Sequence, residues 1–282
     1  MLAKRDIDML VSRLLREGKA VSHETFERDY VQSWILISLS DTVLKNIFSF
    51  KGGTALRKIY FPEYRFSADL DFTHTGNEQR QTALSIVKKE FGRLYENLER
   101  EANLQCTTYS DRDETGEHSF TFYINYSGPL GADIHKRDIK VNITFGEQIV
   151  CGTVEKSILK NYEEYSDLPE QKRLHVYSIE EIFIEKLCCI LDRARHEPRD
   201  IYDLWYLLNE GSVKLGDIKC DLMQKARHKK AHPNNFSEIL DHKKRTYEAS
   251  WENRLKHQLP GGQVPPFDGI YRKIRRAFKQ VT

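Results

Sequence analysis

Apolar positions divide the chain into helical, then strand-like, then helical stretches. Over residues 5–17, Ile7, Leu10, Val11, Leu14 and Leu15 recur at helical spacing and predict a short amphipathic helix. A second helix is predicted from Ser22 or Thr25, through Tyr30, Trp34, Ile35 and Leu39, to Leu44. Phe48-Ser49-Phe50 reads as a buried strand, Gly52-Gly53 as a break, and residues 54–60 as a helix ended near Pro62. Residues 66–73 read as a strand and 79–102 as a long amphipathic helix. Three alternating runs follow, at 104–109, 119–126 and 138–145, the first two forming a hairpin pattern around a polar turn at 111–116.

From Ser178 the period is helical. Ser178 with Glu181 has capping-box spacing and opens a helix reaching about Arg193. Pro198 suits the first turn of the next, which runs to about Asn209. Further helix extends to about Gln258, a Pro/Gly linker covers 259–266, and a basic helix covers 269–279. The pattern implies a mixed α/β domain over residues 1–165 and a helical domain over 166–282, without internal repeats.

Composition narrows the class. Apolar residues make up 39% and charged residues 30%, as in an ordinary globular protein. No apolar run approaches the roughly 18 residues of a membrane span, and residues 1–19 lack an apolar signal core. A cytoplasmic protein without a membrane partner is expected. The five cysteines, Cys106, Cys151, Cys188, Cys189 and Cys220, contain no CxxC pair, which argues against a disulfide framework or a zinc knuckle. The net charge of +2 hides an asymmetry: residues 219–282 carry 15 Lys/Arg against 6 Asp/Glu. A polyanion or an acidic protein partner fits that basic segment, and so does a solvated helix surface.

The chemistry concentrates in two places. Asp69 and Asp71 are two apart on a predicted strand, so both carboxylates face one way, with Ser67 and Thr73. Adjacent carboxylates repel unless water or a cation separates them, and hard oxygen ligands suit Mg²⁺. A solvated edge strand is the alternative. Upstream, Gly52-Gly53-Thr54 lies between a predicted strand and a helix start, where backbone N–H groups can meet phosphate. One element could hold a triphosphate and the other the metal that bridges it. In the helical half, Lys186 interrupts the apolar stripe of Ile179, Ile182, Phe183, Leu187 and Ile190. Such a lysine either snorkels or reaches into a site. Asp200 and Asp203 share a face of the next helix, after Arg199, and one of them is a candidate partner for Lys186 or Arg193. His74, just after the aspartates, reads as a surface turn.

The stretch FKGGTALRKIYFPEYRFSADLDF, Phe50 to Phe72, resembles the signature of the AbiEii-type nucleotidyltransferase toxins, the toxin half of type IV toxin–antitoxin pairs within the polymerase-β-like superfamily. Glu27-Arg28-Asp29-Tyr30, residues 178–186 and residues 199–204 are similar to further family motifs. The resemblance implies an α+β fold: a polymerase-β-like nucleotidyltransferase domain with a mixed sheet, plus a C-terminal helical domain. It implies that Asp69 and Asp71 hold Mg²⁺, that Gly52, Gly53 and Thr54 hold an NTP triphosphate, and that Lys186 faces it. Asp203 joins the catalytic group, and Lys140, Arg199 and Asp200 the nucleotide-binding one. The implied reaction moves a nucleotide to RNA, notably a tRNA 3′ end, with loss of pyrophosphate, and the implied protein partner is a cognate antitoxin. One position departs. The third carboxylate usual in the superfamily falls on Asn142, leaving Asp138, a helix aspartate or a single metal to make good the loss. A weakened enzyme that only binds NTP or RNA, and a transferase acting on a small molecule or a protein, are the alternatives.

Overall fold

The computed structural model describes residues 1–19, 21–211, 213–231 and 236–279. Two compact units emerge: Met1–Glu147 with Val154–Val176, and Gln148–Thr153 with Tyr177–Thr282. The fold is α+β, as expected.

The first unit opens with helices α1 (Lys4–Arg16), α2 (His23–Ser40) and α3 (Leu44–Ile47). Strand β1 (Phe48–Lys51) leads into α4 (Gly52–Ala55), which continues as a π-helical turn over Leu56–Tyr60. Strand β2 (Leu70–His74), the long helix α5 (Arg80–Ala102), and strands β3 (Gln105–Thr108), β4 (Glu114–Thr115), β5 (Ser119–Ser127), β6 (Asp138–Thr144), β7 (Thr153–Ser157) and β8 (Arg173–Tyr177) follow. Among the described residues these strands form one mixed sheet ordered β3-β5-β6-β2-β1-β8-β7, with β4 also on β5. The expected hairpin is the antiparallel pair β3–β5, while β2–β6 and β1–β8 are parallel. Phe122, Ile124, Ile139, Val141 and Ile143 are buried on one face of β5 and β6. Phe91 of α5 meets Phe122 edge-on there, with ring centroids 4.8 Å apart.

Strand β2 starts four residues later than its hydrophobic pattern suggests, so Asp69 precedes the strand. The cause is a side chain of α2. The Gln32 amide donates to the carbonyls of both Ser67 and Ala68 at 3.0 Å, taking acceptors that a neighbouring strand would otherwise use. Strands β7 and β8 were not foreseen. All five residues of β7 are exposed, so no alternation betrays it. His74, expected in a surface turn, ends β2 buried beside Phe48 and Phe145.

Helix α2 is buried on nearly every side, and it buries charge. Asp29 accepts from Arg57 at 2.6 Å and lies 2.8 Å from the Lys58 ammonium. Arg57 also donates to the Tyr64 carbonyl and to the Tyr162 hydroxyl, and its guanidinium lies 3.8 Å from the centre of the Phe66 ring. Lys58 further reaches Ser33 and Asn161. The two cations are neighbours in sequence, and the π turn is the local departure from α geometry that accompanies their convergence on one carboxylate. Against the upward push of burial, the two cations hold the Asp29 carboxyl below its usual range. Burial pulls the Lys58 ammonium down to about 8 despite Asp29.

The second unit contains α6 (Ile179–Leu191), α7 (Pro198–Glu210), α8 (Lys219–His228), α9 (Phe236–Leu255) and α10 (Phe267–Phe278). Ser178 caps α6 by accepting from the Glu181 N–H at 3.1 Å, but Glu181 does not complete the box. Its carboxylate turns to the N–H groups of Val150 and Cys151 and to the Lys225 ammonium. Helix α10 buries Phe267, Ile270, Tyr271, Ile274 and Phe278. Part of its basic face is spent within the unit, with Arg275 paired to Asp241 at 2.7 Å.

Removing one member of the Asp29 cluster should expose its asymmetry. Asp29→Asn strands two buried cations and should cost about 3–5 kcal/mol in urea denaturation, whereas Lys58→Met, which leaves the Arg57–Asp29 pair, should cost far less. The pH dependence has a defined sign. Folded Lys58 releases its proton near 8, below the ordinary lysine value, so the folded state binds fewer protons between pH 8 and 10.5 and gains stability there. The stability difference between wild type and Lys58→Met should therefore shift toward wild type as pH rises through that window. A pH-independent difference would refute it.

Candidate active site

Gly52 leaves β1 with φ +79°, a conformation open to glycine and strained for L side chains. A Cβ there would also lie 2.6 Å from Asp71 Oδ2. The carboxylate of β2 thus rests against the first residue of α4. Strand register explains the approach: Lys51 of β1 pairs with Asp71. Gly53 is tight for another reason, since a Cβ on it would lie 2.7 Å from Arg65 Nη2 and 3.2 Å from Ser67 Oγ.

Arg65 was not singled out in the sequence, although a charge between Tyr64 and Phe66 was a visible anomaly. It is 1% exposed, and its guanidinium packs under the first turn of α4. A helix N-terminus already carries partial positive charge. A buried guanidinium beside it adds to a positive field next to the Asp71 carboxylate, an arrangement suited to an anion bridged by a cation.

Thr54 is fully buried, and its hydroxyl donates to the Asp69 carbonyl. Its side chain is thereby engaged in fixing the backbone of Asp69, so its contribution to a phosphate would come through its N–H. Together with Gln32, it holds the segment that delivers Asp69.

Asn142 occupies the position expected of a third carboxylate, directly beside Asp71 in the parallel β2–β6 register. Its amide donates to Asp71 Oδ1 at 2.9 Å, and its own oxygen accepts from the Thr121 hydroxyl at 2.9 Å. A carboxylate here would face Asp71 with like charge; the amide supplies a donor instead. Asp138 does not take over that role. It lies four residues away, about 13 Å along the strand, and pairs with Arg112 at 2.8 Å. Lys140 is half-buried on the same face of β6 as Asn142.

The candidates of the helical unit form their own cluster. Lys186 is largely buried and lies 2.9 Å from Asp200 and 2.7 Å from Asp203. Both aspartates are enclosed, and Arg195, rather than Arg193, also binds Asp200, at 2.6 Å. Burial would raise the Asp200 carboxyl, but Lys186 and Arg195 keep it below its usual range. Arg199 lies apart, 3.9 Å from Glu197. The structure therefore assembles Gly52, Gly53, Thr54, Asp69, Asp71 and Asn142 in the first unit, and Lys186, Asp200 and Asp203 in the second.

Asp69 and Asp71 offer hard oxygen donors, and the Asn142 amide presents its N–H to Asp71. Among the described residues no cluster of three or more His, Cys, Asp or Glu side chains forms a metal cage. Two carboxylates are nevertheless the donor set with which proteins hold Mg²⁺ when substrate phosphates complete its shell. No helix among the described residues is long and apolar enough to cross a membrane.

No curated protein matches the chain. The crystal structure of JHP933 from Helicobacter pylori is similar in fold, with a TM-score of 0.59, 17% identity and 93% of each chain covered. The model of the family described as nucleotidyl transferase AbiEii toxin, type IV TA system, matches residues 34–273, and the chain belongs to that family.

Proposed function

We propose that the protein transfers a nucleotide from an NTP to the hydroxyl of an RNA acceptor, with the 3′ end of a tRNA as the leading candidate, and releases pyrophosphate. One observation carries the reading: the Asp71 carboxylate lies against the Gly52 backbone at the start of α4, over a buried guanidinium. This is where a Mg²⁺–triphosphate would be gripped from both sides. Asp69 and Asp71 would hold Mg²⁺, which when bound neutralises charge on the phosphates. Backbone N–H groups at Gly52, Gly53 and Thr54 bind triphosphate oxygens, and Arg65 adds positive potential from beneath. The acceptor oxygen bonds to the α-phosphorus as the bond to pyrophosphate breaks, and the hydroxyl proton leaves to solvent or a carboxylate. Asn142 cannot take that proton. It orients Asp71 by donating to Oδ1.

The same position favours a second reading, an NTP or RNA binder with weakened catalysis. The resemblance also assigns Lys186, Asp203, Asp200 and Arg199 to the reaction, with Lys140 as a phosphate contact. The Lys186 cluster has a structural role of its own, so Lys186→Met must be read for stability and activity together. An antitoxin partner follows from the family.

Incubating the protein with Mg²⁺, total RNA and each α-labelled NTP should label RNA. Asp69→Ala should abolish the label, and unchanged transfer in that variant would sink the assignment. Gly52→Ala should cost about 1–2 kcal/mol of stability through backbone strain, yet lose transfer disproportionately because its Cβ displaces Asp71. Asn142→Asp tests the metal without relying on turnover. Two facing carboxylates should lower the melting temperature in EDTA, and Mg²⁺ should restore it by more than it stabilises wild type. Equal Mg²⁺ shifts in both proteins would show that position 142 does not face the metal.

A further inference from the structure

We propose that the face of β5 and β6 beyond Asn142 is a stacking platform for the unpaired end of the RNA acceptor, formed by Tyr109, Arg112, Tyr123 and His135. The proposal rests on the transfer reading above and adds the place where the acceptor is held.

Register connects this face to the site. Asp71 pairs with Asn142, and Asn142 with Thr121, making one row across β2, β6 and β5. Two residues along, Lys140 pairs with Tyr123, so this next row lies on the same face at about 7 Å. Thr108 pairs with Ile124, and Tyr109 continues β3 in extended conformation, which sets it opposite Tyr123. The opposite face of these strands is closed by Phe122, Ile124, Ile139, Val141 and Ile143, whereas Tyr123, Lys140 and Asn142 remain half-exposed and Tyr109 is 37% exposed.

The aromatic groups are held ready. Arg112 lies 4.0 Å from the centre of the Tyr123 ring, and Asp138 fixes its guanidinium at 2.8 Å. The rings of Tyr109 and His135 stack with centroids 5.5 Å apart and planes 27° from parallel, and the Tyr109 hydroxyl lies 3.1 Å from His135 Nδ1. Aromatic rings and guanidinium planes are the surfaces on which unpaired bases stack. Asp138 beside Arg112 and Asp133 near His135 offset the local positive charge, which disfavours a duplex held mainly through its phosphates.

The direction of attack selects the occupant. In nucleotidyl transfer the entering oxygen and the departing pyrophosphate lie roughly in line through phosphorus. A triphosphate held at Gly52 and Gly53 sits where β1 joins α4, next to β2. In the order β5-β6-β2-β1, the acceptor hydroxyl must then approach from the side of β6 and β5. That is the side carrying Lys140, Tyr123 and Tyr109.

The test is fluorescence anisotropy of the full chain with a short single-stranded RNA bearing a free 3′-hydroxyl, and with the same sequence as a blunt duplex. Tyr109→Ala and Arg112→Ala should each weaken single-strand binding about tenfold, the loss of roughly one base stack, while Tyr109→Phe should bind as wild type. In transfer assays the change should fall on KM for RNA. Wild-type affinity in both alanine variants overturns the platform, and so does an equal loss for the blunt duplex, which would indicate phosphate contact. Melting temperatures separate these outcomes from misfolding, and both side chains are exposed enough to be replaced without a core defect. If wild type labels no RNA but the alanine variants still lose single-strand binding, the transfer reading fails and the platform stands.

Discussion

The buried Asp29 carboxylate is the interaction on which the candidate site depends. It belongs to α2, yet it neutralises Arg57 and Lys58, which follow the Gly-Gly-Thr turn by three and four residues. Taking two cations and an anion out of water costs several kcal/mol per ion. The cluster persists because almost every donor finds an acceptor: Ser33, Asn161, Tyr162 and the Tyr64 carbonyl complete it. The result locks the π turn to α2. Gln32, one turn further along that helix, secures the backbone leading to Asp69. A single buried helix thus positions both halves of the site, the glycine turn through Arg57 and Lys58 and the aspartate segment through Gln32.

With those halves fixed, the site is a problem of charge balance. Asp71 sits against Gly52 and receives the Asn142 amide, while Arg65 lies under Gly53. Each feature lowers the cost of holding a carboxylate beside a phosphate in the presence of a cation. An aspartate at position 142 would add metal affinity but also repulsion before the metal binds. The amide gives the opposite compromise: a site that is settled without metal, with less charge to offer when metal arrives.

Much of this was legible in the sequence because it is local. Gly52-Gly53-Thr54 and Asp69-Leu70-Asp71 lie within twenty residues of one another, and strand alternation correctly put Asp138, Lys140, Asn142 and Thr144 on one face of β6. The long helices were visible in their apolar periods, whereas the alternation expected to align Asp69 with Asp71 does not apply, because Asp69 precedes β2. What escaped was set by distant partners. Strand β7 has no buried face to show. The late start of β2 depends on Gln32, which lies 35 residues before Ser67. Thr54 reads as a candidate phosphate contact from its place after the glycines, but its hydroxyl is committed to Asp69, a contact that spacing does not reveal. The Ser178–Glu181 motif gave the helix start correctly and its second hydrogen bond incorrectly, because the Val150 and Cys151 amides and Lys225 compete for the carboxylate.

The same logic separates two kinds of buried lysine. Lys58 has one carboxylate, which it shares with an arginine, and burial drags its proton affinity down. Lys186 has two carboxylates, one of which it shares with Arg195. The two sets differ in net charge. The Asp29 set has one cation more than its anions, and dipoles must make up the difference. The Lys186 set, counted with Arg195, is neutral. A neutral, enclosed set can hold its ions in one arrangement without further help, so a lysine placed there is fixed in position by its two carboxylates. If Lys186 serves the reaction, it does so from a position set by Asp200 and Asp203, with Arg195 holding Asp200 from the other side.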